Sequence, residues 1–137
     1  MIHYLLDSDV LLDVYLQREP FYLDSAKVLS LTKRKLTTAY ITPLALSNIS
    51  YLLQKEHSKS RVIEELKKLC AFVEIVTMNK KTVLDALESN FTDFEDALQN
   101  YSAENNLLIS HIVTRNTKDY SKSKLIVLSP SDFLGIV

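Results

Sequence analysis

The chain has 137 residues, of which 47% are hydrophobic and 24% charged, and its 16 basic and 17 acidic side chains leave a net charge of −1. That size and balance describe one folded domain, residues 1–137, and exclude a disordered, low-complexity or strongly basic nucleic-acid-binding class, so any nucleic-acid partner has to be met by a local patch. A single glycine, Gly135, and a single cysteine, Cys70, exclude glycine-rich phosphate loops, disulfide frameworks and thiolate zinc sites.

The first element is the apolar run Ile2 to Leu6, which reads as a buried strand ending at Asp7. A helix follows from about Asp9, and after the break at Arg18-Glu19-Pro20 a second runs from about Tyr22 to Arg34. The next strand is Thr38 to Ile41. Thr42 and Pro43 form an N-cap and N1 pair that opens a helix with Leu46, Ile49, Leu52 and Leu53 on its apolar face, ending near His57. Ser58 or Ser60 caps a helix presenting Val62, Ile63, Leu66 and Leu69, and Cys70 at its end is expected in the core.

Phe72 to Val76 is a third strand, and Asn79 caps a helix through Val83, Leu84 and Leu87. Asp93 stands at the N-cap of a helix through Ala97, Leu98 and Tyr101, followed by strands at Leu107 to Val113 and Leu125 to Leu128 and a last short helix from Ser129-Pro130. Strands separated by helices in this order predict an α/β fold, a three-layer α/β/α sandwich around a mainly parallel sheet of about five strands. No run of about 18 uncharged apolar residues offers a membrane span, and no basic segment precedes the first apolar run, so the expected location is the cytoplasm.

Ligands of such sheets bind outside the carboxyl ends of the strands, which gives the positions of the acids meaning. Asp7 ends the first strand, Asn48 lies in the helix after the second, Asp96 is in the first turn of the helix before the fourth, and Asp119 follows that strand. Three carboxylates that meet there cannot all stay ionised without a cation, and an all-oxygen donor set suits Mg²⁺ or Mn²⁺. Asp9 and Asp93 are expected as N-caps, Glu95 as a solvated first-turn acid and Asp13 on the surface. His3 and His111 lie in strands and are expected to pack rather than bind metal.

The segments "LLDSDVLLDVYLQREPFYLDSAKVL", "ITPLALSNISYLL", "FTDFEDALQNYSAE" and "IVTRNTKDY" together resemble the PIN domain, the fold of VapC-type toxin ribonucleases. The resemblance spans nearly the whole chain in the right order. It implies metal binding by Asp7, Asp96 and Asp119, with Asn116 and Asp93 as further positions near the metal, and places Ser8 and Thr114 beside the substrate. Asp9 occupies a place usually held by Asn. Asn48 stands where the family usually supplies a glutamate; an amide can ligate through its oxygen but carries no charge and cannot act as a base. A subgroup of PIN-like proteins shares this amide.

The function so implied is a metal-dependent endoribonuclease, the toxin of a toxin–antitoxin pair, with RNA as substrate, an antitoxin protein as partner and a homodimer as its assembly. An acidic pocket repels RNA, so cations are needed around it. Arg115, Lys118, Lys122 and Lys124 lie close in sequence to Asp119, while Lys33, Arg34 and Lys35 end a helix. The alternative is a PIN-like module that binds RNA or protein without cleaving, with Asn48 as its one mark.

Two rivals share the opening "DSD". A haloacid-dehalogenase-like phosphatase also ends its first strand in Asp-x-Asp, but wants Thr or Val two residues on, where this chain has Leu11, and a later glycine-containing acidic motif that Gly135 alone cannot supply. A phosphoacceptor receiver domain needs an Asp at the end of its third strand, and "FVEIVTMN" has none.

Overall fold

The computed structural model describes residues Met1–Val137. Five parallel strands, β1 (His3–Leu6), β2 (Thr38–Ile41), β3 (Glu74–Ile75), β4 (His111–Val113) and β5 (Ile126–Leu128), form one sheet in the order β3-β2-β1-β4-β5. Strand β1 is central. Chain order runs outward from it on one side through β2 and β3, then returns to its other side with β4 and β5. The crevice where the direction reverses, between the carboxyl ends of β1 and β4, is where ligands of open α/β sheets bind.

Seven helices cover the sheet: α1 (Ser8–Tyr15), α2 (Tyr22–Lys33), α3 (Pro43–Leu53), α4 (Lys59–Cys70), α5 (Lys80–Leu87), α6 (Phe94–Glu104) and α7 (Pro130–Leu134). Alternation along the strands divides the core between the two faces. Tyr4, Leu6, Ala39, Ile41 and Val113 pack with Val10, Leu11, Val28, Ile49, Leu69 and Phe133 on the α1–α4 and α7 side. Leu5, Tyr40 and Ile112 pack with Ala103 and Tyr120 on the other.

Caps account for most helix boundaries. Thr42 accepts from the Ala45 N–H with Pro43 at N1, Ser58 accepts from Arg61, Asp93 from Asp96 and Ser129 from Asp132. Asn79 and Thr82 form a reciprocal capping box. The first helix departs from expectation: its N-cap is Asp7, not Asp9, because the Asp7 carboxylate accepts from the Ser8 N–H. With no glycine nearby, α2 is stopped by Lys35, two residues past its end, whose φ of 62° is left-handed. The Lys35 N–H bonds Thr32 and the Leu36 N–H bonds Leu31, so the basic cluster Lys33 to Lys35 is part of a helix stop.

Strands β1 and β5 each start one residue later than their apolar runs, and β3 and β4 are shorter by three residues or more. β3 keeps two residues, and Leu107 and Leu108 lie exposed ahead of β4 because the chain leaves α6 by turns there. Cys70 is exposed, not core: the neighbouring Leu69 occupies the buried position. His3 bonds the Tyr40 hydroxyl and His111 bonds Ser110, so both pack as expected. No helix is long and apolar enough to cross a membrane.

The Tyr4 hydroxyl lies at the heart of the larger cluster, 2.9 Å from Thr32 Oγ1, which is 2.9 Å from Thr37 Oγ1. Burial pushes the Tyr4 phenol up to about 12. Tyr4→Phe takes one partner from the buried Thr32 hydroxyl, which keeps Thr37, and is expected to cost about 1 kcal/mol, read as a lower urea midpoint at unchanged slope.

Candidate active site

At the carboxyl end of the central strand, Asp7 is nearly buried, 8% exposed. One of its oxygens caps α1 and the other accepts from Thr114 Oγ1 at 2.8 Å. Thr114 is the first residue after β4, so this one bond joins the two strands that flank the crevice. Gln99 from α6 is also buried beside Asp7, and Thr42 donates a hydrogen bond to its side-chain oxygen. Tyr120 presses a buried hydroxyl toward the same carboxylate without a well-formed bond. Burial raises the Asp7 pKa, and the bonds from Thr114 and the Ser8 N–H hold it down, with Tyr120 and Gln99 adding less. Burial first, and then the charges of Asp7 and Asp96, push the Tyr120 phenol far above its ordinary value.

Asp9, two residues past the N-cap, turns back to organise the loop after β4. Its Oδ2 accepts from the Arg115 N–H at 3.1 Å and from Asn116 Nδ2 at 3.2 Å. Its Oδ1 is buried with no partner. Its pKa is pushed up to about 7, by burial and then by the Asp7 charge, against the pull of Arg115.

Asp96, half-buried in the first turn of α6, is pushed up to about 7 by burial and then by the charges of Asp93, Asp7, Asp119 and Glu95. Asp93 caps the same helix. Asp119 is exposed on the 3-10 turn Thr117–Tyr120, the same turn whose Tyr120 faces Asp7. Asn48 on α3 donates from Nδ2 to Glu95 Oε1, which brings α3 and α6 together at the crevice. The Glu95 pKa is raised by burial and by Asp93 and Asp7.

These acids share one electrostatic neighbourhood, yet no group of three or more His, Cys, Asp and Glu side chains is arranged to hold a metal ion. The chemistry of the set still fits a hard divalent cation: every donor is oxygen, Asp9 Oδ1 lacks a partner, and burial and neighbouring carboxylate charge raise the pKa of Asp9 and Asp96.

The family pattern of the PIN domain matches residues 3–118. The chain belongs to the PIN domain family. No curated protein matches it significantly. Among solved structures, this PIN domain is similar to a chain of VapBC2 from Rickettsia felis bound to a DNA fragment from its promoter, at 19% identity and a TM-score of 0.63, over 93% of this chain and 98% of that one. It is also similar to a chain of a toxin–antitoxin complex from Klebsiella pneumoniae, at 19% identity and a TM-score of 0.69, over 93% and 97%. For VapBC-1 from nontypeable Haemophilus influenzae the values are 13% and 0.69, over 95% and 99%.

Several expectations for single residues change. Asp13 is fully buried, not on the surface, because Arg115 reaches back to it with Nε at 2.6 Å and Nη2 at 3.1 Å. Thr114, expected beside substrate, has no exposed surface and gives its hydroxyl to Asp7. Glu95 is not merely solvated, since it meets Asn48 and the charge of Asp7. Asn116 points its amide nitrogen at Asp9. Ser8 is partly exposed beside Asp7, and Lys118, Lys122 and Lys124 are exposed. Gln99 and Tyr120 had no sequence signal beyond their place on elements that return to Asp7.

Removing Arg115 leaves the Asp13 carboxylate buried with only Arg18 at 3.9 Å. Arg115→Met is expected to cost about 3 kcal/mol in urea unfolding, and Arg18→Met under about 1. A second expectation concerns pH without metal. Asp9 and Asp96 titrate near pH 7 when folded and near the ordinary carboxylate range when unfolded, so the folded state binds more protons between those values. Their contribution is therefore present at low pH and lost as pH rises from about 4 through 7. Thermal melting in EDTA should fall over that interval, and Asp96→Asn should flatten the fall.

Proposed function

We propose that this PIN domain is a metal-dependent endoribonuclease, the toxin of a toxin–antitoxin pair, that hydrolyses RNA phosphodiester bonds. The observation that carries the reading is Asp7, a nearly buried carboxylate at the reversal point of the sheet, whose charge adds to burial in raising the pKa of Asp9 and, with Asp93, of Asp96. A core tolerates such crowding poorly, and perturbed acids in a crevice are characteristic of sites that do chemistry.

In this reading Asp7, Asp96 and Asp119 hold Mg²⁺ or Mn²⁺, with Asp93, Asn116 and the free Asp9 oxygen in reserve. Such an ion, when bound, supplies an acidified water for in-line attack and positive charge for the phosphate oxygens. Thr114 keeps the Asp7 carboxylate in one orientation, and Gln99, fixed through Thr42, guards its inner side. Asn48 brings no charge, but through its bond it holds Glu95, which does. Lys118 and Ser8 at the rim meet the RNA backbone, the Lys118 charge offsetting the repulsion of the acids, while Arg115, its guanidinium paired with Asp13, meets the RNA beside them.

Toxin–antitoxin complexes among the similar structures support a protein antitoxin as partner. A homodimer is the proposed assembly, and the cytoplasm the proposed location. For dimerisation the exposed apolar side chains Val83, Leu84 and Leu87 on α5 offer more than Tyr51 and Ile63 on α3 and α4.

A second reading, a module that binds RNA or protein without cleaving, is favoured by two observations: the acids are not drawn together around a ready ion site, and Asn48 is committed to Glu95. A mixed RNA pool titrated with Mn²⁺ separates the two. The enzyme reading expects cleavage that falls at least about 100-fold in Asp7→Asn, and melting raised by metal in the wild type by more than in that variant. No cleavage at any metal concentration gives the second reading. Asn48→Glu should sustain or raise cleavage and tighten metal binding, since it restores a carboxylate at the mouth of the crevice.

A further inference from the structure

We propose that the cavity beside Arg115 is a nucleobase pocket that takes a guanine of single-stranded RNA, a reading that rests on the ribonuclease function above and adds a base preference to it. The cavity measures about 500 Å³ and lies between the start of α2 and the start of α7. That is the size of an ordinary small-molecule site. Its apolar walls are Pro20, Phe21 and Pro130, and its polar groups include Asp24, Ser25 and Arg115.

Three features point to a planar, polar-edged ligand. Phe21 is 40% exposed, and the Arg115 guanidinium lies 4.0 Å from its ring centroid, so a flat cationic and aromatic wall is already built. Bases of single-stranded RNA stack on such aromatic and guanidinium planes. Ser25 has no exposed surface, and its hydroxyl finds no partner in the protein although the residue lines the cavity. A buried hydroxyl left unpaired is a bond for a ligand to complete. Asp24, in the first turn of α2, makes no hydrogen bond or ion pair through its carboxylate.

Charge decides between a base and a phosphate. Arg115 gives Nε and Nη2 to Asp13, which Arg18 also approaches, and Asp24 adds a second carboxylate. Two arginines and two acids sum to zero, so nothing net is left to hold a phosphate. A neutral base suits the lining. Guanine suits it best, because its N1–H and N2–H₂ donors match the two oxygens of a carboxylate, here Asp24, while its ring stacks on the Phe21 and Arg115 wall. The pocket is tied to the acids through the backbone. Arg115 follows Thr114, which bonds Asp7, and the Arg115 N–H bonds Asp9. A base held there sets the register of the strand over Asp7.

The test is fluorescence anisotropy of the full chain, in EDTA, with labelled hexauridylate and with the same hexamer carrying one guanosine. The guanosine oligomer is expected to bind at least about fivefold tighter. In Asp24→Asn and in Phe21→Ala the ratio should fall to near one. Asp24 is only partly buried and makes no bond within the protein, so Asp24→Asn should melt as the wild type does; should Phe21→Ala fail to fold, Ser25→Ala replaces it. Equal binding of the two oligomers by the wild type, or a ratio untouched by Asp24→Asn, overturns the proposal. Because binding in EDTA is read without cleavage, the two readings fail separately. A chain that shows the ratio and never cuts RNA keeps the pocket and loses the nuclease; one that cuts RNA at a ratio of one does the reverse.

Discussion

The 2.8 Å bond from Thr114 to Asp7 is the contact around which the crevice is organised. Asp7 is at once the end of the central strand, the N-cap of the first helix and a nearly buried charge. A carboxylate so placed is stable only if its oxygens are met, and they are met by α1 on one side and by the residue that leaves β4 on the other. The parallel register of β1 with β4 makes this possible, because pairing Leu6 with Val113 sets Asp7 directly opposite Thr114.

A second layer of polar contacts stands on the first. Asp9 grips the backbone at Arg115 and the amide of Asn116, Asp13 grips the Arg115 side chain, and these two acids, four residues apart, lie along one side of the short helix α1. The arginine is thereby fixed between two chemistries. Its backbone belongs to the acidic crevice and its guanidinium to the cavity walled by Phe21. Helix α6 closes the arrangement from the other face of the sheet with Asp96, Gln99 and Glu95, and Glu95 in turn reaches α3 through Asn48. Four elements far apart in sequence thus meet at one strand end, as the reversal of strand order requires.

The crowding has a consequence for energetics. Asp9 and Asp96, whose pKa is raised by burial and then by neighbouring carboxylates, favour the unfolded chain at neutral pH, so the crevice is kept at a cost in stability. The large cluster around Tyr4 and Phe133, whose aromatic rings are 4.7 Å apart, supplies compensating burial. Local frustration beside a well-packed core is the usual pattern of a site retained for chemistry.

How much of this was legible in the sequence follows from the range of the interactions. Strand and helix order, the caps at Thr42, Ser58, Asn79, Asp93 and Ser129, and the place of Asp7 at a strand end are local matters, carried by apolar period and by side chains that bond their own neighbourhood. Family resemblance in four segments pointed to the fold for the same reason: each segment is a local pattern. What only the tertiary structure decided are the partners that charged and polar side chains find at a distance. Asp13 reads as a surface acid until Arg115, 102 residues away, reaches it. Asn48 reads as a lost charge until Glu95 stands against it, and Asp9 as a cap until its oxygen proves to hold the loop after β4. Cys70 and Leu69 both read as core, and only the packing of α4 buries one and leaves the other in water. Periodicity tells which face of an element is apolar, whereas the pairing of charges depends on which elements the sheet brings side by side.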